Sequence, residues 1–173
     1  MNDRPQFIVD QNIGKLTKLL RLLGYDTKFF TGETDAQLVE IAQKESRNLL
    51  TRDTHILERR AITSGRVKAL LLGSGTIENQ IRQVVSDLHL DNFQPFTICL
   101  EDNRPLIARA REEVKNRVPI YVWKTQPEYV ECPECHRIYW KGTHWGAMTL
   151  RLEKLTQYIQ KELKWNFKDD TSN

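Results

Sequence analysis

The chain has 173 residues, 39% of them hydrophobic and 28% charged, with a formal net charge of +3 at pH 7, enough apolar material for a buried core and a basic excess that permits a polyanionic partner without requiring one. No apolar run approaches the length of a membrane span and no leader-like segment precedes Phe7, so a cytoplasmic protein with no membrane partner is expected. Three cysteines, two of them in Cys132-Pro133-Glu134-Cys135, argue for metal chemistry over disulfides.

In chain order, Phe7-Ile8-Val9-Asp10 reads as a strand ending in an aspartate. Ile13 to Leu23 places Ile13, Leu16, Leu19, Leu20 and Leu23 on one helical face, and Gly24 supplies a stop. Tyr25 to Phe30 is a short aromatic strand. Asp35 to Glu45 is a helix with Leu38, Ile41 and Ala42 inward, and Asn48 to Thr51 is a buried strand running on to Asp53. His55 to Ala61 is a short helix, Val67 to Leu72 an apolar strand, and Thr76 to Leu88 an amphipathic helix. This alternation predicts an α/β fold, a three-layer sandwich around a mostly parallel sheet. After His89 the alternation stops. Asp91 to Pro95 is a junction, followed by Phe96 to Cys99, Asp102 to Leu106 and a charged helical piece at Ala108 to Asn116. Val118 to Trp123, the cysteine knuckle, an aromatic strand at Ile138 to Trp140 and a last helix over roughly residues 146–163 complete the chain.

Parallel strands share their C-terminal edge, where ligands bind, so Asp10 and Asp53 are expected side by side there. Asp35, at the start of the helix before the second of these strands, needs only a short loop excursion to join them. Three carboxylates at one spot repel each other unless a cation sits between them, and oxygen-only ligands suit Mg²⁺ or Mn²⁺, which bridge to phosphate. Each acid also has a plainer role: Asp10 as a turn or cap, Asp35 as an N-cap, and Asp53 as the cap of the helix from Thr54. Thr51 is given a structural role, on the view that strand alternation turns its side chain away from Asp53. Lys15, Lys18, Arg21, Lys28, Arg52, Arg59, Arg60 and Arg66 surround the acids in sequence. Of these, Lys15, Lys18 and Arg52 are candidates for gripping substrate phosphates, the alternative being solvated helix faces.

The stretches FIVDQNIGKLTKLLRLLGYDT, TDAQLVEIAQKESRNLLTRD and VECPECHRIYWKGTHWGAM resemble the PIN-like ribonuclease domain at the carboxyl end of Mut-seven-type exonucleases, also found as free-standing prokaryotic proteins. The resemblance runs from Phe7 to about Leu152 and is most specific at LLTRD and IYWKGTHW. It implies a PIN-like nuclease domain in residues 1–92, in which Asp10, Asp35 and Asp53 hold Mg²⁺ or Mn²⁺ and RNA is cut. It further implies a zinc-ribbon-like module with a C-terminal helix in residues 93–165, ahead of a polar tail at 166–173. The chain departs from the pattern twice: His55 stands where many PIN domains have a fourth acid, and Asp102 where the ribbon's first Cys-x-x-Cys calls for a cysteine. Cys99, Asp102, Cys132 and Cys135 can hold Zn²⁺, or the module is metal-free and held by its aromatics. Tyr139, Trp140, His144 and Trp145 either form that small core or stack on unpaired bases, and His144 is a candidate phosphate contact. The resulting expectation is a Mg²⁺- or Mn²⁺-dependent ribonuclease with RNA as partner. The alternatives are a non-catalytic RNA-binding or regulatory module and a phosphohydrolase of a small phosphorylated molecule. No oligomeric state is expected one way or the other.

Overall fold

The computed structural model describes residues 4–142, so the last helix, the polar tail, His144 and Trp145 lie outside the described residues. The first half runs β1 (Phe7–Val9), a 3-10 turn (Gln11–Ile13), α1 (Lys15–Leu22), β2 (Thr27–Phe29), α2 (Asp35–Lys44) and β3 (Asn48–Thr51). Then come α3 (Thr54–Leu57), α4 (Arg60–Thr63), β4 (Ala69–Leu71) and α5 (Ile77–Asp87). The four strands form a parallel sheet in the order β2-β1-β3-β4, with Val9 opposite both Phe29 and Leu50. Side chains alternate across each strand. Phe7, Val9 and Leu50 pack with Leu16 and Leu20 of α1 and Ile81, Val84 and Val85 of α5. Ile8 and Leu49 pack on the opposite face with Leu38, Val39 and Ala42 of α2 and with Ile56. A sheet buried on both faces is why FIV is a continuous apolar run and why adjacent Leu49 and Leu50 are both fully buried. The architecture is the expected α/β sandwich.

Two local expectations are corrected. The single helix from His55 to Ala61 is two one-turn helices, α3 and α4, separated by Arg59 in an extended conformation (φ −61°, ψ 132°). Ile56, Ala61 and Ile62 all pack on the same core, and one continuous helix, advancing about 100° per residue, would point them to different sides. The charged segment from Ala108 begins as a strand. β5 (Ile107–Arg109), β6 (Tyr129–Glu131) and β7 (Ile138–Trp140) form an antiparallel sheet in the order β5-β6-β7, with α6 (Arg111–Val114) and α7 (Ile120–Thr125) between β5 and β6. Arg109 of β5 reaches buried Glu131 of β6 at 2.6 Å, and helix begins only past Ala110, whose N–H donates to the Glu113 carboxylate at 2.7 Å.

The second sheet's leading loop is tied to the edge of the first. The Thr27 N–H of edge strand β2 donates to Asn103 Oδ1 at 2.8 Å, and the Thr27 carbonyl accepts from Arg21 Nε at 2.9 Å. Arg21, only 7% exposed, also donates to the carbonyls of Leu100 and Glu101 at 2.8 and 2.6 Å. Backbone groups that an edge strand would leave open are thereby covered. Among the described residues no helix is long and apolar enough to cross a membrane.

Candidate functional site

Asp10 follows β1 directly and Asp53 lies two residues past β3, so both stand at the C-terminal edge of neighbouring parallel strands. One hydroxyl links them. Fully buried Thr51 donates from Oγ1 to Asp10 Oδ2 at 2.6 Å and accepts from the Asp53 N–H at 3.0 Å. This overturns the view that Thr51 faces away: alternation repeats every two residues, so positions 51 and 53 share a side. The i, i+2 spacing of Thr51 and Asp53 was the signal in the sequence.

Asp10 also accepts from the Gln11 N–H at 2.6 Å and from Asn12 Nδ2 at 2.8 Å, and so caps the 3-10 turn. Gln11 Nε2 donates to the Gly32 carbonyl at 2.6 Å, tying the Asp10 loop to the loop that leads to α2. Asp53 caps α3 through the His55 N–H at 2.8 Å. Asp35, in contrast, is not the cap of α2. Thr34 accepts from the Gln37 N–H at 3.3 Å, and Gln37 Oε1 accepts from the Thr34 N–H at 3.2 Å, a closed capping box. The Asp35 carboxylate is left facing Arg59 at 3.6 Å. All three acids are partly exposed. Their ligand atoms do not form a group within 4.8 Å of one another; among the described residues only Cys99, Asp102, Cys132 and Cys135 do.

Of the candidate phosphate contacts, Lys15 and Arg52 are exposed and carry no ion pair among the described residues, whereas Lys18 pairs with Glu101 at 2.7 Å. Arg21 and Lys28 are also engaged, Arg21 with backbone carbonyls and Lys28 with Glu45.

The family model described as Mut7-C RNAse domain matches residues 5–152. The chain belongs to the Mut7-C RNAse domain family. No curated protein and no solved structure matches it.

In this Mut7-C RNAse domain the cysteine cluster is built from two equivalent loops. The Cys132 N–H donates to the Arg137 carbonyl at 3.0 Å, the His136 N–H returns to the Cys132 carbonyl at 3.0 Å, and His136 is left-handed (φ 58°). The Cys99 N–H donates to the Arg104 carbonyl at 2.8 Å, the Asn103 N–H returns to the Cys99 carbonyl at 3.1 Å, and Asn103 is left-handed (φ 58°). Asp102 therefore occupies in its loop the place Cys135 occupies in the other. Cys99 Sγ and Cys135 Sγ are 3.8 Å apart, and Asp102 Oδ2 is 3.5 Å from Cys99 Sγ and 3.3 Å from Cys132 Sγ. A tetrahedral ion with bonds of about 2.3 Å to sulfur and about 2.0 Å to oxygen sets S···S at about 3.8 Å and S···O at about 3.5 Å. The four residues fit a metal such as zinc.

The same crowding perturbs their protons. Hydrogen bonds from Cys135 and Cys132 hold the Asp102 carboxyl below its ordinary range, and the Asp102 carboxylate pushes the Cys135 thiol up to about 12. Burial raises Cys132. Burial also raises Cys99, but the Tyr139 hydroxyl at 3.2 Å and the backbone N–H groups of Asp102 and Glu101 outweigh it, so that thiol lies below its ordinary value. Tyr139 meets Phe96 edge to face at 6.4 Å, which makes it part of the packing around the cluster.

Proposed function

We propose that the chain hydrolyses phosphodiester bonds in single-stranded or structured RNA, with Mg²⁺ or Mn²⁺ held by Asp10, Asp35 and Asp53. The observation that carries this reading is the Thr51 bridge: in a member of an RNase family, a buried hydroxyl joins the carboxylate of Asp10 to the backbone N–H of Asp53, at the ends of adjacent parallel strands. An all-oxygen, partly exposed donor set fits a hard dication that keeps part of its hydration. When bound, such an ion supplies a water of lowered pKa and offsets charge on the scissile phosphate.

The chain's own groups do the positioning. Gln11 N–H, Asn12 and Thr51 fix the Asp10 carboxylate, and the His55 N–H fixes one oxygen of Asp53, leaving the other without a hydrogen bond among the described residues. Asp35, spared from capping by Thr34, is available once Arg59 swings away from it. Lys15 and Arg52 hold flanking phosphates, and Lys18 joins them when its pair with Glu101 opens. Zn²⁺ at Cys99, Asp102, Cys132 and Cys135 serves structure, because all four positions are protein ligands.

The test is incubation of unstructured RNA, tRNA and single-stranded DNA with Mn²⁺, Mg²⁺ or EDTA. RNA should be cut only with Mn²⁺ or Mg²⁺, Asp10→Asn and Asp53→Asn should each abolish cutting, and Asp35→Asn should be milder. Cleavage at the wild-type rate in Asp10→Asn or Asp53→Asn would overturn the assignment. RNA binding without cleavage under every condition would make the chain a binding module.

A further inference from the structure

One strand over from Asp10 lies a cavity of about 520 Å³ lined by Gly14, Lys15, Thr17, Lys18, Phe29 and Glu101, among others. Phe29 is in register with Val9, the residue before Asp10, so the cavity opens about one strand spacing (~4.8 Å) from the catalytic edge. Three independent features mark it as made for an occupant. Thr17 is only 3% exposed, lines the cavity, and has a hydroxyl with no hydrogen-bond partner among the described residues. A buried hydroxyl left unpaired is costly, and a ligand with a polar edge would satisfy it.

Phe29 is the second feature. It is a large apolar side chain 38% exposed on the edge strand. Its ring lies so close to Gly14 that a Cβ there would stand 2.7 Å from Cε2. Gly14 has an ordinary right-handed φ of −53°, so its backbone does not require glycine; the space for the ring does. The third feature is charge: exposed Lys15 stands at the rim without an ion pair among the described residues.

An exposed aromatic face, an unsatisfied polar group beneath it and a free ammonium at the rim match a base with its flanking phosphate. We propose that this cavity receives one unpaired base of a single-stranded RNA, with Phe29 stacking on the base, Thr17 bonding its edge and Lys15 taking the adjoining phosphate. The proposal rests on the ribonuclease reading and adds to it a base subsite beside the scissile phosphodiester. A base inside a duplex has its faces covered by its stacked neighbours and is not free to stack on Phe29, so a duplexed strand should bind more weakly.

The test uses a short unstructured oligoribonucleotide carrying one 2-aminopurine, titrated into the full-length chain in the Asp10→Asn background. Fluorescence should be quenched on binding, and Phe29→Ala should raise Kd by about 5- to 150-fold and remove the quench. Thr17→Val, which keeps the shape, should raise Kd by about 2- to 12-fold. Gly14→Ala should act in the direction of Phe29→Ala by displacing the ring. An abasic residue in place of 2-aminopurine should erase the difference between Asp10→Asn alone and its Phe29→Ala derivative. Equal Kd and quench with and without Phe29, or equal binding of the duplexed strand, would overturn the subsite. If Asp10→Asn had still abolished cleavage in the otherwise wild-type chain, the ribonuclease reading would survive that result. Absence of any RNA binding and cleavage would sink both.

Discussion

Thr51 carries two hydrogen bonds from a fully buried position, one to a carboxylate and one from a backbone amide, so a valine of the same shape would leave Asp10 and the Asp53 N–H each one partner short. Thr51→Val should lower stability by about 1–3 kcal/mol. It should also reduce cleavage by about 10- to 100-fold through weaker metal binding, an effect that excess Mn²⁺ partly reverses and Thr51→Ser restores. Unchanged cleavage and metal requirement in Thr51→Val would remove its orienting role. Asp10→Asn is affected in the same way. Mutual repulsion of the three acids would make this variant more stable without metal, but Asp10 accepts three hydrogen bonds and its ligand atoms are not crowded against Asp35 and Asp53. Loss of charge-assisted bonding dominates, and chemical denaturation should show a loss of about 1–2 kcal/mol.

The elements that carry the acids were legible in the sequence because doubly buried strands leave continuous apolar runs and helices leave a stripe of period 3.6. Asp10 and Asp53 could be placed at strand ends for that reason. What connects them was not read, since the Thr51 bond depends on which face a side chain takes just past a strand. The exchange of cap from Asp35 to Thr34 turned on one residue. β5 was missed because Arg109 looks like part of a charged helix until its partner, Glu131, is seen 22 positions away. Glu131 is 3% exposed and bonded by Arg109 and Arg117, and those bonds, Arg117's first, hold its pKa at about 2 against an ordinary 4.5. A folded-state value below the unfolded one means that its contribution to stability is complete above about pH 4.5 and is lost as pH falls toward about 2. Glu131→Gln should therefore cost roughly 2–3 kcal/mol at pH 7, with the gap to wild type closing across that acid window in equilibrium denaturation. A gap of constant size from pH 7 to pH 3 would show that the two arginines do not depend on the carboxylate charge. Directly after Glu131, where β6 runs into the Cys132 loop, the matched loops predict that Asp102→Cys, which completes a four-thiolate set, tightens zinc in competition with a chelator. Weaker zinc retention in that variant would mean that the Asp102 position is not a ligand.

At the scale of the whole molecule, the two sheets meet through the loop that carries half of the cysteine cluster. Asn103 follows Asp102, holds a left-handed conformation set by the loop's own hydrogen bonds, and from that conformation accepts from the Thr27 N–H at 2.8 Å. Arg21 clamps the neighbouring carbonyls of Leu100 and Glu101, and Lys18 reaches the Glu101 carboxylate. Whatever fixes Cys99 and Asp102 therefore also fixes the edge of the parallel sheet at β2, two residues before Phe29. Disrupting the cluster by Cys132→Ser, on the far loop and with no hydrogen bond to the first sheet among the described residues, should free the Cys99–Arg104 loop and expose Thr27. Residue-resolved hydrogen exchange should then show the Thr27 amide losing protection to the level seen in Asn103→Ala. The Asp10 amide, bonded to the Leu50 carbonyl at 3.0 Å in the sheet interior, should exchange as in wild type. If Thr27 keeps its full protection in Cys132→Ser while Asn103→Ala loses it, the loop is held on the sheet by Asn103, Arg21 and Lys18 without help from the cluster, and the cysteine cluster has no hold on the nuclease edge.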